Sequence, residues 1–124
     1  CNMRLPKDDK YYHWTSHSKH KMLQYQISES LVKRIIRSPK RVEEGIAPKT
    51  FAVMQSKTNT KKPSEIWVMY AVADFRDKIL DIGNYKKKII ISAWKYPGIT
   101  KPGKKLSIPL DTLEELQKIV NKWM

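Results

Sequence analysis

Residues 14–41, WTSHSKHKMLQYQISESLVKRIIRSPKR, decide the fold, because they contain two consecutive helical patterns and most of the side chains that suggest chemistry. In the first pattern Ser18, Met22 and Tyr25 stand at i, i+4 and i+7, so they can share the inner face of one helix. Thr15 or Ser16 can cap this helix, which we expect to end near residue 25 or 26.

The second pattern begins after Ser28, a favourable N-cap, and stops at Ser38, because the residue before a proline is biased away from helix. Between these limits the apolar positions point inward and the basic positions point outward. The inward positions are Leu31, Val32, Ile35 and Ile36, and the outward ones are Lys33, Arg34 and Arg37.

After residue 49 the apolar period changes from 3.6 to 2, which is typical of strands. We expect a short edge strand at residues 11–14 and three longer strands at 50–55, 65–73 and 89–96. Residues 40–48 are predicted to be a connector, 56–64 a polar hairpin loop, 74–88 a long hairpin loop and 99–109 a basic connector.

A C-terminal helix is predicted from Asp111, which we place at the N-cap with Glu114 at the third helical position. Its apolar stripe comprises Leu113, Leu116, Val120 and Trp123. The chain is therefore predicted to be a single α+β domain over residues 1–124, with residues 1–10 as a mobile lead-in. Two N-terminal helices and the C-terminal helix would lie on one side of a small antiparallel sheet of three to four strands.

Charge is the most pronounced global property, with 25 Lys and Arg against 12 Asp and Glu. Residues 1–49 carry 11 basic and 5 acidic side chains and residues 74–105 carry 9 and 3, so the excess lies in two blocks. A field of this sign attracts polyanions, which makes nucleic acid or an acidic protein the expected partner. The alternative is a lysine-rich surface that serves only solubility.

Several classes of protein are not expected. The one cysteine, Cys1, cannot form an internal disulfide, and no apolar run approaches the roughly 18 residues that a membrane span needs. No paired-cysteine or His-Glu-x-x-His motif and no glycine-rich phosphate loop occurs. We therefore expect a cytoplasmic protein without a metal, a cofactor or a membrane partner.

The candidate catalytic groups lie on the polar side of the first helix. His17, His20 and Lys21 stand at i, i+3 and i+4, so one surface could present an acid–base pair and a cation for a phosphate. Imidazole suits proton transfer to and from a ribose hydroxyl because its ordinary pKa is about 6.5. Exposed histidines on a polar helix face are, alternatively, often only solvated.

Candidate nucleic-acid-binding residues form a dense run across the second helix and its exit: Lys33, Arg34, Arg37, Lys40 and Arg41. A second group stands at the end of the last strand, where Trp94 and Tyr96 flank Lys95. These aromatic rings could stack on a base while the ammonium holds its phosphate. Alternation along a strand equally allows Trp94 and Tyr96 to be core residues.

Four segments together resemble a group of small bacterial proteins related to RelE-type and BrnT-type toxins: WTSHSKHKMLQYQIS, SPKRVEEGIAPKTFAVMQ, EIWVMYAV and IISAWKYPG. The related pattern has a histidine early in the first helix, a basic residue before a methionine, an Ile-Ser pair opening the second helix and a proline closing it. Here these are His17, Lys21 before Met22, Ile27 with Ser28, and Pro39, with Lys21 standing where the pattern usually has arginine.

The resemblance implies the barnase, EndoU, colicin and RelE nuclease-like fold, and it implies a toxin-type domain that binds RNA. Its candidate activity is metal-independent endoribonuclease cleavage within a toxin–antitoxin system. RelE-type relatives act from the open sheet face, which would point to Tyr70, Lys95 and Tyr96. The implied partners are RNA, free or on the ribosome, and an acidic antitoxin. The alternatives are a non-catalytic nucleic-acid or ribosome-binding module and a protein-interaction domain that docks its C-terminal helix on a partner.

Overall fold

A computed structural model describes residues 6–8, 11–44, 49–57, 63–76, 84–98 and 108–123. The described residues form three helices and five strands, in the order β1 (Tyr12–Trp14), α1 (Ser16–Tyr25), α2 (Glu29–Arg37), β2 (Arg41–Glu44), β3 (Thr50–Lys57), β4 (Ser64–Arg76), β5 (Asn84–Pro97) and α3 (Leu110–Trp123). The α+β class is confirmed.

Local capping fixes the ends of the first two helices. The Thr15 hydroxyl accepts a hydrogen bond from the Ser18 N–H, and the Ser28 hydroxyl accepts one from the Leu31 N–H. Gln26 ends α1 in the left-handed conformation with a φ of 57°, and its N–H donates back to carbonyls of the last turn. Both predicted helices and the short edge strand are confirmed at their predicted positions.

The sheet has five strands in the order β1-β5-β4-β3-β2. The three long strands form an antiparallel meander, β2 adds to it at one edge, and β1 pairs in parallel with β5 at the other. A β-bulge interrupts the β4–β5 ladder, since Met69 pairs with Ser92 and Tyr70 pairs with Ile90, which leaves Ile91 without a partner on β4. Thr15 donates its hydroxyl to the Ile90 carbonyl at 2.9 Å, so α1 starts against this bulge.

Alternation along β4 divides the core between the two faces of the sheet. Ile66 and Val68 pack with Val32, Ile35 and other residues of α1 and α2 on one face. On the other face the core comprises Ala52, Met54, Trp67, Met69, Ala71, Ile89, Ile91, Trp94 and, from α3, Leu116. α2 and α3 therefore cover opposite faces of the sheet, and α1 lies along β5, where its Lys21 reaches Asp111 of α3.

Five expectations about the fold are wrong. The sheet has five strands and is mixed, whereas three to four antiparallel strands were expected. The helices lie on both faces and not on one. The connector at 40–48 contains β2, and the loop at 74–88 contains the outer parts of β4 and β5. Asp111 lies in the first turn of α3, which begins at Leu110, and not at the N-cap.

Other predicted segments fall largely outside the described residues, namely the loop between β3 and β4, the basic connector at 99–109 and most of the lead-in at 1–10. Within that lead-in, residues 6–8 are described and Asp8 is fixed to the sheet edge. Its carboxylate accepts a hydrogen bond from the Trp14 N–H at 2.8 Å and lies 2.5 Å from the His13 imidazole.

Candidate functional site

His17 is positioned where α1, β5 and α3 meet. Its Nε2 lies 3.3 Å from the Ser92 hydroxyl, which in turn lies 2.8 Å from the Thr112 hydroxyl. Ser92 and Thr112 are fully buried. Burial lowers the pKa of the His17 imidazole below its ordinary value, and nearby Lys21 and His20 act in the same direction, against Asp111 and Glu115. The imidazole is therefore neutral at neutral pH and can accept a proton.

Lys21 is buried, although the helical period grouped it with His17 and His20. Its Nζ donates a hydrogen bond to Asp111 Oδ2 at 3.0 Å and lies 5.1 Å from the centre of the Tyr25 ring. Partial burial acts to raise the pKa of Asp111, but the hydrogen bond and charge of Lys21 hold that pKa below its ordinary value. The Lys21 ammonium is thus directed at a carboxylate of the chain itself, and His20 alone of the three candidates is exposed.

Tyr70 is not brought together with the histidines. It is half-buried on the α2 side of the core, with its ring centre 5.7 Å from that of Phe51. Ser92 pairs with Met69, and neighbouring residues of a strand point to opposite faces, so Tyr70 and Ser92 lie on opposite faces of the sheet. Burial raises the pKa of the Tyr70 phenol above its ordinary value, so the phenol stays protonated.

On the outward side of α2, Arg34 and Arg37 are exposed and line a shallow depression of about 620 Å³. The rest of its described lining consists of Ser28, Ser30, Leu31 and Ser38. Neither guanidinium lies within 4.0 Å of a carboxylate among the described residues. Two arginines that have no carboxylate partner in the described part of the chain thus share one depression with three hydroxyls.

Further lysines surround this side of the molecule. The Nζ atoms of Lys33 and Lys88 lie 5.0 Å and 5.8 Å from the centre of the Tyr12 ring, and Lys33 Nζ is 4.0 Å from a Glu29 oxygen. Lys95 is exposed and pairs with Ile66, whose side chain contributes to the core under α2. We call the cations on this side of the sheet the α2 face: Lys33, Arg34, Arg37, Lys88 and Lys95.

The remaining residues of the predicted basic run lie elsewhere. Arg41 pairs with Met54 on the α3 side of the sheet, 5.4 Å from the Trp67 ring centre, and its Nη2 contacts a Glu43 oxygen at 2.6 Å. Lys40 Nζ donates to the Ser56 hydroxyl at 2.9 Å. Tyr96 is half-buried and packs on the α3 side of the core. The run that is continuous in sequence is therefore divided between two sides of the sheet.

Sequence reasoning missed the partners that define these environments. Ser92 lies inside a strand pattern, the sequence indicates only a capping role for Asp111, and no motif marks Thr112. Lys88 was placed in a loop. A buried ammonium needs a carboxylate partner, so burial of Lys21 would indicate one. That burial is visible only in the tertiary structure and not in the sequence.

Among the described residues no group of three or more His, Cys, Asp or Glu side chains is arranged to hold a metal ion. None of the helices in the described part of the chain is both long and apolar enough to cross a membrane.

Compared with models of known protein families, with curated proteins and with solved structures, the chain matches none of them. Its function is therefore inferred from the geometry of its own residues.

Proposed function

We propose that this protein binds RNA through the α2 face, as a domain of the RelE and BrnT toxin type. The observation that carries the proposal is that few carboxylates lie near the cations of the α2 face. On the α3 side Lys21 and Arg41 contact carboxylates at 3.0 and 2.6 Å, whereas Lys40 and Lys118 have no carboxylate within 4.0 Å among the described residues. Across the described part of the α2 face, a single carboxylate, that of Glu29, comes within 4.0 Å of any of the five cations.

Uncompensated cations on one side of a small domain favour a polyanion as the ligand. Each phosphate that such a cation neutralises releases a condensed counterion, and this release dominates sequence-independent binding to nucleic acid. The same side would also take an acidic antitoxin, which would then compete with RNA for the α2 face.

A second candidate function is metal-independent cleavage of RNA within a toxin–antitoxin system. The observation that favours it is the neutral imidazole of His17, held by Ser92 and one helical turn from the exposed His20. Binding without cleavage ranks first, because the ammonium expected to assist the histidines is paired with Asp111. Tyr70 and the α2 face, moreover, lie away from His17.

The two functions are separated by assaying binding and cleavage in parallel. We expect wild-type protein to bind RNA at low salt, and we expect the double variant Arg34→Gln, Arg37→Gln to bind at least about tenfold more weakly. Lys118→Gln, which removes an exposed cation from α3, should leave the affinity within about twofold. Equal losses in both variants would contradict the α2 face as the binding surface.

Cleavage is tested by incubating RNA with the protein in EDTA. The non-catalytic proposal predicts intact RNA. Gln24→Ala is the control, because Gln24 is exposed on the same helix. If RNA is degraded by this variant but not by the His17→Ala, His20→Ala double variant, the second candidate function is established instead.

A further inference from the structure

The depression beside α2 has the size of a small-ligand site. Its volume of about 620 Å³ lies within the roughly 300–1,000 Å³ range of small-ligand sites, and the depression is shallow and open to solvent. Its described lining runs the whole length of α2, from Ser28 at the N-cap to Ser38 at the C-cap. A depression of this size can bind one whole nucleotide, and not only the sugar-phosphate backbone of an RNA.

Arg34 and Arg37 supply the anion-binding groups of this depression. They stand three residues apart on α2, about 4.5 Å along the helix axis, so their guanidinium groups emerge on adjacent turns of one side. Guanidinium presents a planar fork of donors that matches the oxygens of a phosphate. With no carboxylate within 4.0 Å of either group in the described structure, both forks can turn to a ligand.

The other lining groups suit a nucleoside. Ser30 and Ser38 are exposed, so their hydroxyls can bind ribose or phosphate oxygens, whereas the Ser28 hydroxyl already accepts the Leu31 N–H at 3.1 Å. Leu31 is half-buried and gives the depression an apolar patch. An unpaired base can lie against such a patch or on a guanidinium plane, but a base inside a duplex presents neither face.

We propose that the Arg34–Arg37 depression binds one unpaired nucleotide, so that the protein selects single-stranded RNA over duplex RNA. The phosphate lies on the two guanidinium groups and the base lies against Leu31. This inference rests on the proposed function, because it names the class of RNA that the α2 face takes. Lys33, Lys88 and Lys95, which lie outside the described lining, bind phosphates of either form.

The test compares the affinities of an eight-nucleotide single-stranded RNA and of the duplex formed with its complement, by fluorescence anisotropy at one fixed salt concentration. Wild-type protein should prefer the single strand by about tenfold, the value of one stacked base. The Arg34→Gln, Arg37→Gln double variant should lose most of this preference. Lys88→Gln, Lys95→Gln is the matched control: it removes two charges from the same side, so it should weaken both RNAs equally and keep the preference.

Two outcomes overturn the inference while leaving RNA binding intact. One is equal affinity of the wild type for single strand and duplex; the other is a single-strand preference that survives in Arg34→Gln, Arg37→Gln. Absence of RNA binding by the wild type, or binding no tighter than to a polyglutamate peptide of equal charge, would overturn the proposed function itself. Leu31→Ser adds an independent arm, because it should lower the single-strand affinity and spare the duplex affinity.

Discussion

Replacing Asp111 by Asn should destabilise the fold by about 1–2 kcal/mol, whereas replacing its partner Lys21 by Met should change the stability by less than about 1 kcal/mol. The asymmetry follows from burial. The Lys21 side chain is 6% exposed and the Asp111 side chain is 51% exposed. Loss of the carboxylate leaves a buried ammonium without its partner, whereas loss of the ammonium leaves a carboxylate that water can solvate.

The magnitude lies between two limits. Breaking a fully buried ion pair from one side costs about 3–5 kcal/mol, and a fully exposed pair contributes about 0.2–1 kcal/mol. Because half of the Asp111 side chain is in water, we discount the buried value to about 1–2 kcal/mol. The double variant Lys21→Met, Asp111→Asn should recover most of the stability lost in Asp111→Asn.

Urea unfolding at neutral pH measures these differences, with the midpoint compared at constant slope. Glu114→Gln is the matched control, because it removes an exposed carboxylate from the same helix and should cost less than about 0.5 kcal/mol. The reasoning would be refuted if Lys21→Met lowered the urea midpoint as much as Asp111→Asn does. It would also be refuted if the midpoint of Asp111→Asn equalled that of Glu114→Gln.

Three further perturbations test the rest of the structure. Ile35→Ala should cost about 2–5 kcal/mol in urea unfolding, because Ile35 is fully buried on the inward side of α2, whereas Arg37→Ala on the same helix should be near neutral. Thr15→Ala should cost about 1–2 kcal/mol, since its hydroxyl both caps α1 and donates to Ile90, and Thr15→Ser should retain most of this stability. Stability should fall as the pH drops through 6.5, the ordinary pKa of histidine, because the unfolded chain takes up a proton that folded His17 binds more weakly. His17→Gln should flatten this dependence, and unchanged curvature of stability against pH between 7 and about 5 would contradict the lowered pKa.

The sequence predicted an element of the fold where the interactions that define it are local, and failed where they are between distant residues. The limits of α1 and α2 come from Thr15 and Ser28, whose capping bonds are local, so sequence spacing was enough to find them. The outer arms of β4 and β5 pair with each other beyond Ala71 and Lys88, where no other described strand lies alongside. In the sequence there, VADFR at 72–76 and NYKK at 84–87, apolar and polar residues do not alternate throughout, so no period of 2 marks these arms.

The candidate site divides in the same way. Arg34 and Arg37 were placed correctly on the outward side of α2, because the helical period fixes that side once Val32 and Ile35 are inside. The prediction for Lys21 is wrong: it was expected on the polar side of α1, but it is buried because α1 lies along β5 and contacts α3 there. Which polar side chain of a helix ends up beneath a distant element depends on tertiary packing, and no spacing within α1 contains that information.

The salt dependence of RNA affinity tests the α2 face most directly. Plotted as log K against log salt concentration, the slope for single-stranded RNA should be steeply negative, with a contribution of about −0.7 for each phosphate neutralised. Removing Arg34 and Arg37 together should reduce its magnitude by about 1.4, and Lys118→Gln should leave it unchanged. A slope near zero for the wild type, or one that the loss of both arginines does not alter, would contradict an RNA-binding surface on α2.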